Sequence, residues 1–121
     1  MSLETELERV VPVVSALTQA GVAVSIDTTR AAVARACVAA GARMVNDVSG
    51  GRADPAMHAT VAGLGVPYVI MHWRGHSERM VELAHYDDVV AEVIAELTVQ
   101  SDAAMASGVD PASIVLDPGL G

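Results

Sequence analysis

Along this chain, short apolar runs alternate with longer stretches whose apolar positions recur every three or four residues, the pattern of strands interleaved with helices. Four of the runs stop abruptly on polar residues: Val22–Ile26 on Asp27, Arg43–Val45 on Asn46 and Asp47, Pro67–Met71 on His72, and Ser113–Leu116 on Asp117. The spacing predicts a first helix from Glu4 to Gln19, capped by Ser2, with Leu3, Leu7, Val10, Val14 and Leu17 on one face and Pro12 as a kink or an altered start. A second helix runs from Arg30 to Gly41, with Val33, Ala34, Cys37 and Val38 toward the sheet. The strand Arg43–Val48 leads through Gly50 and Gly51 to Asp54-Pro55, a cap and first-turn pair that opens a third helix ending near Gly63–Gly65. After Pro67–Met71, a loop of about 15 residues from Trp73 to Asp87 is long enough to imply function or mobility. The longest helix follows, with Val89, Val90, Val93, Ile94, Leu97 and Met105 along its face and Gly108 at its end.

Strands separated by helices make a parallel α/β sheet and deliver their C-terminal ends to one surface, where such folds build their sites. Two architectures fit: a small doubly wound sheet, or a partial TIM (β/α)8 barrel. Four strands, with a helix before the first and a strand at the end, favour the partial barrel. The 121 residues form a single, incomplete barrel domain, because a closed barrel takes about 250 residues.

Composition narrows the partners. The formal net charge of −8 leaves no basic stripe for a phosphate backbone or an anionic membrane, which argues against nucleic acid. No apolar stretch approaches the roughly 18 residues of a membrane span, and the acidic start is unlike a signal peptide. The only cysteine, Cys37, lies in an Ala-rich helical run and reads as a buried small hydrophobe. Together these point to a cytoplasmic, reducing location. With only three aromatics, Tyr68, Trp73 and Tyr86, the core must be built from Ala, Val, Leu and Ile.

Each strand-end residue has a bland reading beside a chemical one. Asp27 either caps the following helix or lines a site. Asn46 and Asp47 before Ser49-Gly50-Gly51, and Asp117 before Pro118-Gly119, are ordinary turn residues when taken alone. Their occurrence together at three strand ends is what makes them candidates. His72 is a strand cap or a site residue, whereas His58, His76 and His85 read as solvent-exposed. A metal held by Asp27, Asp47, His72 and Asp117 has suitable ligand types but no supporting spacing. Two carboxylates and an amide on an apolar floor suit a flat amino-heterocycle: a carboxylate accepts paired N–H bonds, and an amide both donates and accepts. A guanine-like or pterin-like ring is the natural ligand. Met71 either offers such a ring a polarizable surface or packs in the core.

The strings "SIDTTRAAVARACVAAGARMVNDVSGG", "VPYVIMHWRG" and "IVLDPGLG", in this order, resemble the central part of dihydropteroate synthase, and the resemblance extends over practically the whole chain. It implies strands three to six of a (β/α)8 barrel. It further implies condensation of 6-hydroxymethyl-7,8-dihydropterin diphosphate with 4-aminobenzoate to 7,8-dihydropteroate, with release of pyrophosphate, in folate synthesis. By motif, Asp27, Asn46 and Asp117 would bind the pterin, and Val48 and Met71 would form its apolar walls. Asp27 would also be catalytic, stabilising the pterin methylene cation left when pyrophosphate departs.

The family's magnesium cofactor depends on an Asn in the loop after its first strand, and that loop has no counterpart here. Neither do the later Lys and Arg/His positions. The resemblance therefore implies a truncated or split synthase, inactive alone and partnered by a second copy or a complementary barrel half. The alternatives are a methyltetrahydrofolate corrinoid methyltransferase-type pterin domain, or a noncatalytic pterin-binding remnant.

Overall fold

The computed structural model describes residues 1–75 and 85–120. His76 and Arg79, and with them the middle of the Trp73–Asp87 loop, lie outside the described residues. The elements are α1 (Leu3–Gln19), β1 (Ser25–Asp27), α2 (Ala31–Ala39), β2 (Met44–Asp47), α3 (Met57–Leu64), β3 (Tyr68–Met71), α4 (Val89–Ala106) and β4 (Ile114–Asp117).

All neighbouring strands are parallel and lie in chain order, β1-β2-β3-β4. A doubly wound sheet reverses its strand order at a switch point. No reversal occurs, and the helices pack one on the next, α1 on α2, α2 on α3 and α3 on α4. They cover one face of the sheet, so the arrangement is the partial barrel.

Burial follows that one-sided cover. Val45, Tyr68 and Ile70 point into the helix layer and are fully buried, joined there by Val33, Ala34 and Cys37 from α2 and Met57 and Val61 from α3. Each large apolar side chain so buried contributes about 1.5–3 kcal/mol. Cys37 is a free buried thiol, as its Ala-rich context predicts.

Several boundaries differ from the sequence pattern, each for a local reason. Val22 does not open β1, because its N–H is bonded to the Leu17 carbonyl while Gly21 N–H bonds that of Thr18. This Schellman closure of α1 turns on Gly21 at φ +82°, and the same pairing recurs after α2 and α4. Asp54-Pro55 forms a turn ahead of α3 and does not start it. Asp54 Oδ1 accepts from Ala56 N–H at 2.9 Å, while Oδ2 reaches across to the first N–H of α2, at Ala31, at 2.8 Å. Ser113 belongs to a 3-10 turn, so β4 begins one residue later and takes in Asp117.

Helix α1 is capped by Ser2, as expected, and runs on through Pro12. Pro12 and Glu8 are exposed, which lets water satisfy the carbonyl that the proline leaves unpaired. Helix α4 is capped by Asp88, one residue after Asp87. Its predicted apolar face is only partly used: Leu97 and Ala104 are buried, whereas Val89, Val90 and Ile94 are more than half exposed.

Candidate functional site

Strand parity divides the polar strand-end residues into two groups. Asp27 pairs in register with Asn46, Asn46 with Val69, and Val69 with Val115, while Met71 pairs with Asp117 two residues further along. Registered neighbours in a parallel sheet point the same way. Asp27, Asn46, Met71 and Asp117 therefore share the face that the helices leave open. Val48 follows in the loop after β2, half-buried. Asp47, one residue from Asn46, projects to the opposite side and is fully buried.

The two groups also differ in their bonding. Among the described residues, the side chains of Asp27 and Asn46 have no hydrogen-bond partner, and Asp117 uses only Oδ1, which accepts from Gly119 N–H at 2.8 Å. Solvent reaches these groups, since no buried side-chain polar atom is left unpaired. Free acceptors and one free amide thus line a face that also carries Ser25, Met44, Val69, Met71 and Val115. Partial burial raises the Asp27 carboxyl above its ordinary range, and the Asp47 charge adds to that shift. A cleft lined by His72, Trp73, Arg74, Tyr86 and Pro118 opens beside Asp117, but Asp27 and Asn46 do not border it.

The histidines separate as well. His72 donates its backbone N–H to the Asp117 carbonyl at 2.8 Å, and its ring pairs with Glu96 of α4. Its backbone thus extends the β3–β4 pairing, while its side chain is held by α4 at the rim of the cleft, so both readings of His72 stay open. His58 is not solvent-exposed as the sequence pattern implied: its ring packs edge-on against Tyr68 and bonds the Gly50 carbonyl at 2.9 Å. His85 is exposed. Asp27, Asp47, His72 and Asp117 do not converge, and among the described residues no three His, Cys, Asp or Glu side chains could hold a metal ion.

A profile of the family described as "Pterin binding enzyme" matches residues 1–121. The chain belongs to this pterin-binding family. It is 62% identical over 117 residues to dihydropteroate synthase of Mycobacterium leprae, a match covering 96% of this chain and 41% of that protein. Among solved structures it resembles the Xanthomonas albilineans dihydropteroate synthase in complex with 7,8-dihydropteroate, with a TM-score of 0.87 and 43% identity over 100% of this chain and 43% of that one. The Thermus thermophilus enzyme in complex with 6HMPPP gives a TM-score of 0.89 at 44% identity, covering 98% of this chain and 46% of that one. The chain thus spans less than half the length of the synthases it matches.

In this member of the family, the sequence pattern missed the groups that hold the open face in place. Thr28, buried just after Asp27, donates to Glu6 Oε1 at 2.9 Å, and Arg30 bonds Glu6 Oε2 at 2.7 Å. Helix α1 thereby clamps the end of β1. On the other side, Arg74 joins Glu92 at 3.2 Å and Glu96 at 3.0 Å and stacks on Tyr86. These partners lie some twenty residues apart, so no local pattern could pair them. Asp47 is different: a strict alternation through Met44–Asp47 puts it on the Val45 face, and that parity was a readable signal.

Proposed function

We propose that this chain is the pterin-recognising part of a dihydropteroate synthase. The observation that carries the reading is the row of unpartnered polar groups, Asp27, Asn46 and Asp117 Oδ2, on one open sheet face. The full reaction joins 6-hydroxymethyl-7,8-dihydropterin diphosphate to 4-aminobenzoate, giving 7,8-dihydropteroate and pyrophosphate. In this reading Asp117 and Asn46 bond the edge of the pterin ring, while Met71 and Val48 pack against its faces. The C–O bond to pyrophosphate breaks with its electron pair leaving on oxygen, and Asp27 stabilises the methylene cation. The arylamine nitrogen then forms the new C–N bond and loses a proton.

Turnover needs more than this chain supplies. Because it spans less than half of its synthase relatives, we assign the diphosphate grip and most of the aminobenzoate pocket to polypeptide outside these residues. The partner in this reading is a complementary barrel half or a second copy, and the location is the cytoplasm. Support comes from the sheet margins, where among the described residues β1 and β4 each pair with one strand only, and Val115 and Leu116 are about half exposed.

The test is a synthase assay on the purified chain with both substrates and magnesium, with and without polypeptide carrying the rest of the barrel. Product only in the mixture supports the proposal. No product from a mixture shown to assemble leaves the noncatalytic pterin-binding reading. Light scattering during gel filtration tests the partner separately: a well-behaved monomer at high concentration would count against it.

A further inference from the structure

Among the acidic side chains near the open face, Asp47 is the one that the pterin reading does not use, and it is also the most deeply buried. Its oxygens are met by four donors: Ser49 N–H at 2.8 Å, Ser49 Oγ at 2.7 Å, Gly51 N–H at 2.8 Å and the Tyr68 hydroxyl at 3.1 Å. All four are neutral, and among the described residues no cation pairs with Asp47. A carboxylate completed by neutral donors keeps its full charge, and in a poorly screened interior that charge acts at a distance.

We propose, resting on the pterin reading above, that Asp47 is a positioning residue of the site: from the covered side of β2 it holds Asn46 turned to the open face and supplies a second negative charge behind Asp27. The first role follows from parity. Slipping β2 by one residue would bring Asp47 out and Asn46 in, and it would break all four bonds at once. Those bonds also anchor the turn at Ser49–Gly51, which follows Val48 directly. The second role follows from placement: Asp47 is the residue after Asn46, which is the register partner of Asp27, and it projects to the opposite side of the sheet, so its charge sits behind that of Asp27. The raised proton affinity of Asp27 agrees with this. A negative charge behind the sheet favours a cation developing in front of it.

The other acidic groups near the pair are Glu6, Asp54 and Asp117. Asp54, like Asp47, has no cation partner among the described residues, and its oxygens accept from Ala31 and Ala56 N–H. Glu6 of α1 is paired with Arg30, and Asp117 lies on β4, three strands from β1. From α3, His58 reaches Tyr68 and the Gly50 carbonyl. Of these acidic groups, Asp47 alone directly follows Asn46, the register partner of Asp27 on the neighbouring strand.

Two variants of the 121-residue chain separate charge from packing. Asp47→Asn keeps the shape and removes the charge, whereas Tyr68→Phe keeps the charge and removes one donor that spreads it. The readouts are the carboxyl titration of Asp27 by NMR and the affinity for 6-hydroxymethylpterin by calorimetry. The Asp27 midpoint is expected to fall in Asp47→Asn and to rise in Tyr68→Phe, with pterin affinity at least tenfold weaker in Asp47→Asn. A purely structural role gives no such opposite shifts. An Asp27 midpoint unchanged in folded Asp47→Asn overturns the proposal. If Asp47→Asn does not fold, an unmoved midpoint in Tyr68→Phe overturns it. A parent chain that binds no pterin would overturn the functional reading instead, with the Asp27 midpoints still deciding the role of Asp47.

Discussion

Asn46 and Asp47 are neighbours in sequence, similar in size and both polar, yet they live in two different regions of the molecule. Asp47 faces the helix layer, where every oxygen lone pair must find a donor, and it finds four. Asn46 faces the bare side of the same strand with its amide unused among the described residues. The contrast repeats in Ile70 and Met71 of β3. What a strand residue does here is set by which side of the sheet it meets, more than by its type. The covered face holds the fold together, and the open face is free to bind.

The largest test of this division compares two adjacent residues. Ile70→Ala removes a fully buried side chain and is expected to cost about 3 kcal/mol. Met71→Ala, half-buried on the open face, should cost about 1 kcal/mol or less. Urea unfolding of both variants gives the two values, and similar losses would break the two-face account.

Next comes the turn under Asp47. Gly51 has φ +89°, and a Cβ there would collide with the His58 ring, so Gly51→Ala should cost about 2 kcal/mol. Gly63, inside α3 with open space around it, is the control. Gly63→Ala should raise stability by about 0.5–1 kcal/mol, in line with helix propensity. Thermal melts of the pair would expose any error if both moved the same way.

On the open face the change should appear in binding. Asp117→Ala is expected to weaken 6-hydroxymethylpterin at least tenfold, about 1.4 kcal/mol, with a smaller effect on stability. Calorimetry giving equal affinities would remove Asp117 from the site.

The smallest effect concerns pH. The Asp27 carboxyl is raised by burial and then by Asp47, so the folded chain holds that proton more tightly than the unfolded one. Stability from this group is present below its ordinary range and lost as pH rises through the raised value. Asp27→Asn should therefore gain up to about 0.5 kcal/mol at pH 7, since the group is exposed and screened, and the gain should vanish near pH 3. Glu96 runs the other way. Burial raises it, but the hydrogen bonds from His72 and Arg74 prevail and lower it, so its contribution holds at neutral pH and fades on acidification. Denaturation midpoints followed across pH 3–7 in Asp27→Asn and Glu96→Gln should diverge in sign.

Much of the fold was readable because helices and strands are local. The 3.6-residue stripe of α2 correctly named Val33, Ala34 and Cys37 as its buried face, and the four strands fell close to their predicted places. The same stripe misjudged α4, because periodicity reports which side is apolar and not whether anything lies against it. Asp27, Asn46, Met71 and Asp117 were found as strand-end residues, and register puts them on one face. Asp47 was grouped with them because a turn explains Asn-Asp as easily as a strand does, although the alternation from Val45 carried the answer.

By itself, then, the amino-acid order determined element types, their βα alternation, the closures at Gly21, Gly41 and Gly108, and the motifs of a pterin-binding enzyme. These depend on backbone preferences and contacts within a few residues. Only the tertiary structure decided that Asp47 bonds Tyr68, that Glu6 holds Thr28 and Arg30 beside Asp27, and that His72 answers to Glu96. Each of those pairings joins groups more than twenty residues apart, and chain position alone does not bring them together. Strand register and helix packing do, by fixing which side chains meet once the apolar face is buried.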